Sequence, residues 1–188
     1  QTTGLCPESA CHPTTTQEKK MFIARLAVSS LLLTSLVAPT LAADKPAASP
    51  NGITLPEGYK DWRVIAPSYR VDKKHIRVIL GNDVAIQAAR SGKTKPWPDG
   101  SVLAKLVWKE KPDAAWPTAL VPADFVHAEF MTKDSNKFAS TGGWGYSRWL
   151  GMDQKPYGKD ANFAQECVAC HTPVKSNDWV FTHPASMP

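Results

Sequence analysis

The chain is poor in cysteine: four in 188 residues, at positions 6, 11, 167 and 170. That is too few for a small scaffold stapled by several disulfides. It also lacks a long apolar run. The most apolar stretch, Leu26 to Val37, falls short of the ~20 residues that a membrane-spanning helix needs. Charge of one sign is not concentrated: 22 Lys+Arg against 17 Asp+Glu leave +5, spread along the chain. Nucleic acid asks for a basic face or stripe, so that partner is not expected. There are no internal repeats, which sets solenoids and propellers aside.

The short apolar stretch has a different meaning. Lys19, Lys20 and Arg25 surround Met21, Leu26 to Val37 follows, and Thr40-Leu41-Ala42 supplies small residues. This is the pattern of a secretory signal peptide, predicted at 21–42 with cleavage after Ala42. Residues 1–20 read as an upstream extension; their Cys6, Cys11 and His12 resemble a haem site only superficially, because four residues separate the thiols, and are set aside. Removing residues 1–42 takes away three basic and two acidic residues, leaving 19 against 15 and a net of +4. Both remaining cysteines then lie close together near the C-terminus. The expectation is an exported, periplasmic protein with no membrane attachment after signal cleavage. Residues 43–54, rich in Pro, Ala and Ser, read as a flexible linker, and 55–188 as one domain.

Gly58–Arg70 starts as a short helix and turns extended. His75–Leu80 is a β-branched strand signal closed by Gly-Asn-Asp, with Asp83 as the cap of a helix ending near Gly92. Two prolines and Asp99-Gly100 make a turn before the strand of Ser101–Glu110. KPDAAWPTALVPAD, with three prolines, predicts a loop without regular structure. Asp124–Asp134 is a strand again, Gly143–Gly151 an aromatic extended segment, and Asn162–His171 a short helix. The pattern predicts an α+β fold, predominantly antiparallel sheet with a few short helices.

That last helix carries Cys167-Val168-Ala169-Cys170-His171, a C-x-x-C-H. Two thiols at this spacing can close a redox disulfide, hold half of a zinc site with His171 and His183, or add to haem with His171 as axial iron ligand. A thioredoxin-like motif follows the first strand of a βαβ unit, whereas this one sits near the chain's end. Export to a compartment where c-type haem is attached favours covalent haem c. The motif comes last, behind a β-rich region, so the small helical electron-carrier fold is not expected.

The C-terminal C-x-x-C-H helix, the VKSNDWVFTHPA that follows it, STGGWGYSRW and PDGSVLAKLVWK together resemble cytochrome P-460 and its relatives, the cytochromes c′-β. The resemblance runs from about Leu55 to Pro184. It implies a periplasmic homodimer, predominantly antiparallel β, with one five-coordinate haem open on its distal side. Members either oxidise hydroxylamine or bind nitric oxide and similar ligands. In the enzymes a lysine nitrogen bonds to the porphyrin edge, and the matching position is Lys105. A carboxylate follows the haem histidine in those enzymes; here the position is Thr172.

Lys105 is also conspicuous by itself. It shares a strand face with Leu103 and Val107, where desolvation favours a neutral, nucleophilic amine; the ordinary alternative is a stem laid on apolar surface with its head in water. By alternation Phe125, His127, Glu129 and Met131 share one face, and Val126, Ala128 and Phe130 the other. Glu129 is the candidate distal acid/base group, the alternative being a solvent-facing side. Phe125 and Phe130 are candidate apolar caps over the distal iron face, or simply core. Arg148 is a candidate partner for a haem propionate or an ordinary salt bridge; Trp144, Tyr146 and Trp149 read as core or dimer face. Met152 and His183 are weak candidates for a sixth iron ligand.

Two functions of different class follow. One is a haem oxidoreductase that takes electrons from hydroxylamine, or a related small nitrogen species, to a soluble acceptor such as a cytochrome c. The other is a gas-binding module that takes up nitric oxide without turnover. A six-coordinate electron carrier is a third. Lys105 favours the enzyme and Thr172 the binder.

Overall fold

From Arg63 onward the chain alternates with the period of two that turns one side of each strand inward. The computed structural model describes residues 45–187; the predicted signal peptide at 21–42 and the extension at 1–20 lie outside the described residues. Six strands result: β1 (Arg63–Arg70), β2 (His75–Gly81), β3 (Val102–Pro112), β4 (Leu120–Lys133), β5 (Trp144–Leu150) and the short β6 (Lys155–Pro156). They form one antiparallel sheet in chain order. Helix α1 (Asp83–Arg90) links β2 to β3, and α2 (Ala164–His171) follows β6. This is the α+β architecture expected. Among the described residues no helix is long and apolar enough to cross a membrane.

The two faces of the sheet bury different things. On the first, Ile65, Ile79, Leu103, Trp144 and Tyr146 pack with Ala85, Ile86 and Ala88 of α1, and Cys167 and Val168 of α2 rest against them. On the second, Leu80, Ala104, Ala128, Phe130 and Trp149 are covered by Ile53 and Tyr59. Trp144 and Trp149 are fully buried, so the aromatic segment is core. A fully buried large apolar side chain contributes about 1.5–3 kcal/mol, and both faces draw on it.

Four local expectations are corrected. Residues 45–54 are not a bare linker: Ile53 enters the second core, Ala47 O accepts from Trp149 Nε1 at 3.0 Å, and Asn51 Nδ2 donates to Tyr146 O at 2.8 Å. The cap of α1 is Asn82, whose side chain accepts from Ala85 N at 3.0 Å; Asp83 is the first helical residue instead. The two ends of the proline-rich segment are strand, with Pro112 opposite Leu120 and Pro122 opposite Glu110. There the β3–β4 hairpin projects past the ends of β2 and β5, so a missing N–H on an outer edge costs no ladder bond. Finally, β4 carries a bulge. Val107 pairs with His127 and Trp108 with Phe125, skipping Val126. The extra residue moves Phe125 onto the second face, edge-to-face with Trp108 at 5.6 Å.

Phe130 is buried edge-to-face between Tyr59 at 5.1 Å and Trp149 at 5.6 Å. Phe130→Ala is therefore expected to cost about 3–5 kcal/mol of stability, read as a lower urea midpoint at unchanged m-value. A loss under about 1 kcal/mol would contradict this packing.

Candidate functional site

Asp160 opens the route into α2, its side chain accepting from Asn162 N at 2.8 Å in the 3-10 turn Ala161–Phe163. Within α2, Cys170 and His171 follow Cys167 by three and four residues, so all three share one helix side. Both thiols are free; Cys167 is half-buried and Cys170 exposed. Burial pushes the Cys167 thiol up from its ordinary pKa.

His171 is oriented more tightly. Its Nδ1 lies 2.6 Å from Trp179 O. A carbonyl only accepts, so Nδ1 carries the hydrogen and Nε2 keeps its lone pair. The ring is held edge-on by Tyr146 at 5.3 Å and Phe181 at 5.1 Å. Burial lowers its pKa, keeping the imidazole neutral.

A cavity of about 1000 Å³ spreads from α2 and the segment Val180–His183 across the first face of the sheet. That is at the upper end of the ~300–1,000 Å³ typical of ligand sites. Cys167, Cys170 and His171 border it on one side, and Arg77, Lys105, Glu129 and Arg148 on the other.

Register builds the polar wall. Glu129 on β4 stands opposite Lys105 on β3 and opposite Arg148 on β5. Lys105 Nζ forms an ion pair with Glu129 Oε2; Arg148 Nη2 reaches Oε1 at 2.6 Å, and His127 Nε2 lies 3.5 Å from the same oxygen. Burial would raise the Glu129 carboxyl, yet the charges of Lys105, Arg148 and His127 outweigh it and hold it at about 2. For His127 burial dominates, and the ring is lowered to about 4 despite the nearby carboxylate. Arg148 also stacks over Tyr157, 4.5 Å from the ring centroid.

The predicted residues thus divide. Cys167, Cys170, His171, Lys105 and Glu129 meet at one cavity. Lys105 is not alone on apolar surface but paired with Glu129. Phe125 is packed in the second core and does not border the cavity, whereas Phe130 borders it with its ring packed in that core against Tyr59 and Trp149. Arg148 joins a half-buried ionic cluster rather than an ordinary surface bridge. Met152 is 82% exposed and does not border the cavity; His183 does. Thr172 Oγ1, just past α2, donates back to Val168 O at 2.8 Å. Among the described residues no three His, Cys, Asp or Glu side chains converge as a metal site, so the zinc reading lacks its ligand set. Sequence reasoning missed Arg77, although it interrupts HIRVIL as Lys105 interrupts its own strand. It also missed Trp179, whose role runs through a carbonyl that any residue type would carry.

Two pH windows follow. As pH falls from 6.5 to about 4, His127 gains a proton in the unfolded chain before the folded one, so stability drops. Between 4.5 and about 2 the same holds for Glu129. His127→Gln is expected to flatten the upper part of an acid-unfolding profile and Glu129→Gln the lower part. Identical profiles for both variants and wild type would refute the assignment.

The model of the family described as Cytochrome P460 matches residues 56–182. No curated protein has a detectably similar sequence. The match takes in the sheet, the polar wall of the cavity and the C-x-x-C-H helix alike, well over half of the chain, and on that ground this chain belongs to the cytochrome P460 family and is a haem protein of that type.

Proposed function

We propose that Cys167 and Cys170 attach haem covalently, that His171 is its iron ligand, and that the cavity oxidises hydroxylamine or a related small nitrogen species. The residues present fit the group. Of seven buried side-chain polar atoms without a partner among the described residues, five belong to cavity residues: Ser68, Arg77, Tyr146, Ser147 and Arg148. Buried polar atoms normally have partners, and two of these are guanidinium N–H groups, which suit the carboxylates of haem. When bound, the haem supplies an iron that takes the small nitrogen ligand and accepts its electrons.

The observation that carries the enzymatic reading is Glu129, an ionised carboxylate on the cavity wall. Oxidation of an N–H and O–H compound releases protons, and Glu129 Oε1 and Oε2 can accept a hydrogen bond and then hold a proton. Its pairing with Lys105 makes it a weak base. A bond from Lys105 Nζ to the porphyrin edge, formed with loss of an N–H and a ring C–H to a two-electron oxidant of the peroxide class, would remove that pairing and lift Glu129 toward the usual carboxylate range. Lys105 in this reading both tunes the haem and frees the base. Arg148 keeps the carboxylate oriented, and Phe181 and Tyr146 shield His171 from water.

The protein in this reading works in the periplasm as a homodimer, passing electrons to a soluble acceptor such as a cytochrome c. The signal-peptide pattern supports the location, and family resemblance the dimer. One observation favours nitric oxide binding without turnover: Lys105 is engaged by Glu129 and so held back from any other bond.

Expressed with a haem-attachment system, the protein is expected to gain the mass of one haem, lost in Cys167→Ala/Cys170→Ala. A tryptic peptide joined to haem through Lys105 and a red-shifted ferrous Soret band are also expected, and both should vanish in Lys105→Ala.

Glu129→Gln is expected to lower hydroxylamine turnover at least about 10²-fold while nitric oxide still binds. Wild type showing a plain c-type spectrum and no turnover would leave the gas-binding reading in its place.

A further inference from the structure

We infer that the buried Lys133–Asp178 ion pair is a positioning device for His171: it holds the turn Asp178–Trp179 in the conformation that aims the Trp179 carbonyl at Nδ1. The inference rests on His171 being the iron ligand, as proposed above.

Lys133 closes β4 on the first face of the sheet, and its side chain is 5% exposed, that of Asp178 12%. Lys133 Nζ donates to Asp178 Oδ1 at 2.8 Å and Oδ2 at 3.0 Å. It lies 4.9 Å from the ring centroid of Trp144 and 3.4 Å from Gly142 O. Asp178 Oδ2 accepts a further hydrogen bond from Trp97 N at 2.8 Å. The Asp178 carbonyl accepts from Trp144 Nε1, also at 2.8 Å. One residue of the C-terminal segment is thereby tied to β4, β5 and the loop before β3.

The backbone it ties is strained. Asp178 and Trp179 have φ of 49° and 63°, both left-handed and neither a glycine. Such a conformation is disfavoured for a residue with a Cβ and persists only where its surroundings over-determine it. The Trp179 indole lies over Gly142, where a Cβ would clash with it, and Gly142 itself has φ of 72°. Gly142 of STGGWG gives that ring its seat, while Gly143 lies against Lys133 and Ser135.

Stability alone is a poor account of this arrangement. A buried ion pair loses most of its attraction to desolvation, and apolar residues of equal size often hold a fold as well. What an apolar pair cannot do is bond the Trp97 amide and grip a left-handed turn at the same time. The output of the turn is one hydrogen bond, His171 Nδ1 to Trp179 O at 2.6 Å. Such outer bonds to a ligating histidine fix its ring and raise its donor strength, with effects of about 10–100-fold on metal affinity or activity when lost. A stronger donor favours ferric over ferrous iron.

The test uses the haem-loaded protein and three variants: Asp178→Asn, Lys133→Met/Asp178→Asn, and Lys133→Arg. Asparagine tolerates the left-handed region and can still accept from Trp97 N, and the double variant also removes the buried lysine charge that Asp178→Asn alone leaves without its carboxylate. The readouts are the haem midpoint potential and the iron–histidine stretching frequency. Asp178→Asn and the double variant are expected to shift the ferric/ferrous equilibrium about tenfold toward ferrous, a rise of about 59 mV for one electron, with a lower stretching frequency. Lys133→Arg, which keeps the charge pair, is expected to stay near wild type.

Folded Asp178→Asn with wild-type potential and frequency would overturn the inference. His171→Gly separates the two readings. If it leaves the iron spectrum unchanged, the ligand assignment and the positioning role both fall. If it changes the spectrum while Asp178→Asn does not, only the positioning role falls.

Discussion

The register of β3 against β4 and of β4 against β5 is the constraint on which the site depends. It sets Lys105 and Arg148 on either side of Glu129, so one carboxylate faces two cations on a half-buried wall. A slip of one residue in either pair would turn every side chain to the opposite face: Phe130 would enter the cavity and Glu129 the dry core. That outcome is penalised twice, by a buried unpaired charge and by an exposed aromatic ring. The aromatic cluster of Tyr59, Phe130 and Trp149 thus fixes the pairing from the far side. Core packing on one face decides the electrostatics of the other.

Charge at the cavity is unbalanced in a useful direction. Glu129 is shared between Lys105 and Arg148, Arg70 is paired with Asp72, and Arg77 Nε has no partner. Burial lowers the Arg77 pKa from its ordinary value, the mark of a cation held where water is scarce. A cavity with surplus positive charge and unpaired guanidinium N–H groups suits a flat apolar group with anionic edges better than a neutral gas alone. Haem has both properties, and the free thiols and oriented His171 complete the match.

Much of this was legible in the sequence, and the reasons are specific. Strands β2 to β5 show the two-residue period, so their faces could be assigned, and Lys105 and Glu129 fell on one side as expected. The C-x-x-C-H motif sits on a helix because nothing in AQECVACH interrupts one. What escaped notice depends on contacts distant in sequence. The bulge at Val126 leaves no local signature, yet it moves Phe125 to the other face. Residues 45–54 look like a linker because proline and alanine carry no pattern; their order comes from Trp149 and Tyr146, about 100 residues on. Lys133 looks like an ordinary strand-end lysine, and its partner Asp178 lies 45 residues away.

The two sides of the cavity also differ in how far the chain completes them by itself. Around His171 the bonds close on one another: the Asp178 carboxylate accepts from Lys133 and Trp97, its carbonyl accepts from Trp144, and the Trp179 carbonyl meets His171. On the sheet wall Ser68, Arg77, Tyr146 and Arg148 keep buried polar atoms without partners among the described residues, and each such atom costs about 1–3 kcal/mol. A bound group that meets even some of them stabilises the folded chain in proportion to its affinity, since the unfolded chain offers no such wall. Covalent attachment through Cys167 and Cys170 would make that gain permanent. The His171 side is therefore built for fixed geometry and the wall for capture, and the strain in Asp178 and Trp179 is set against the packing of both cores.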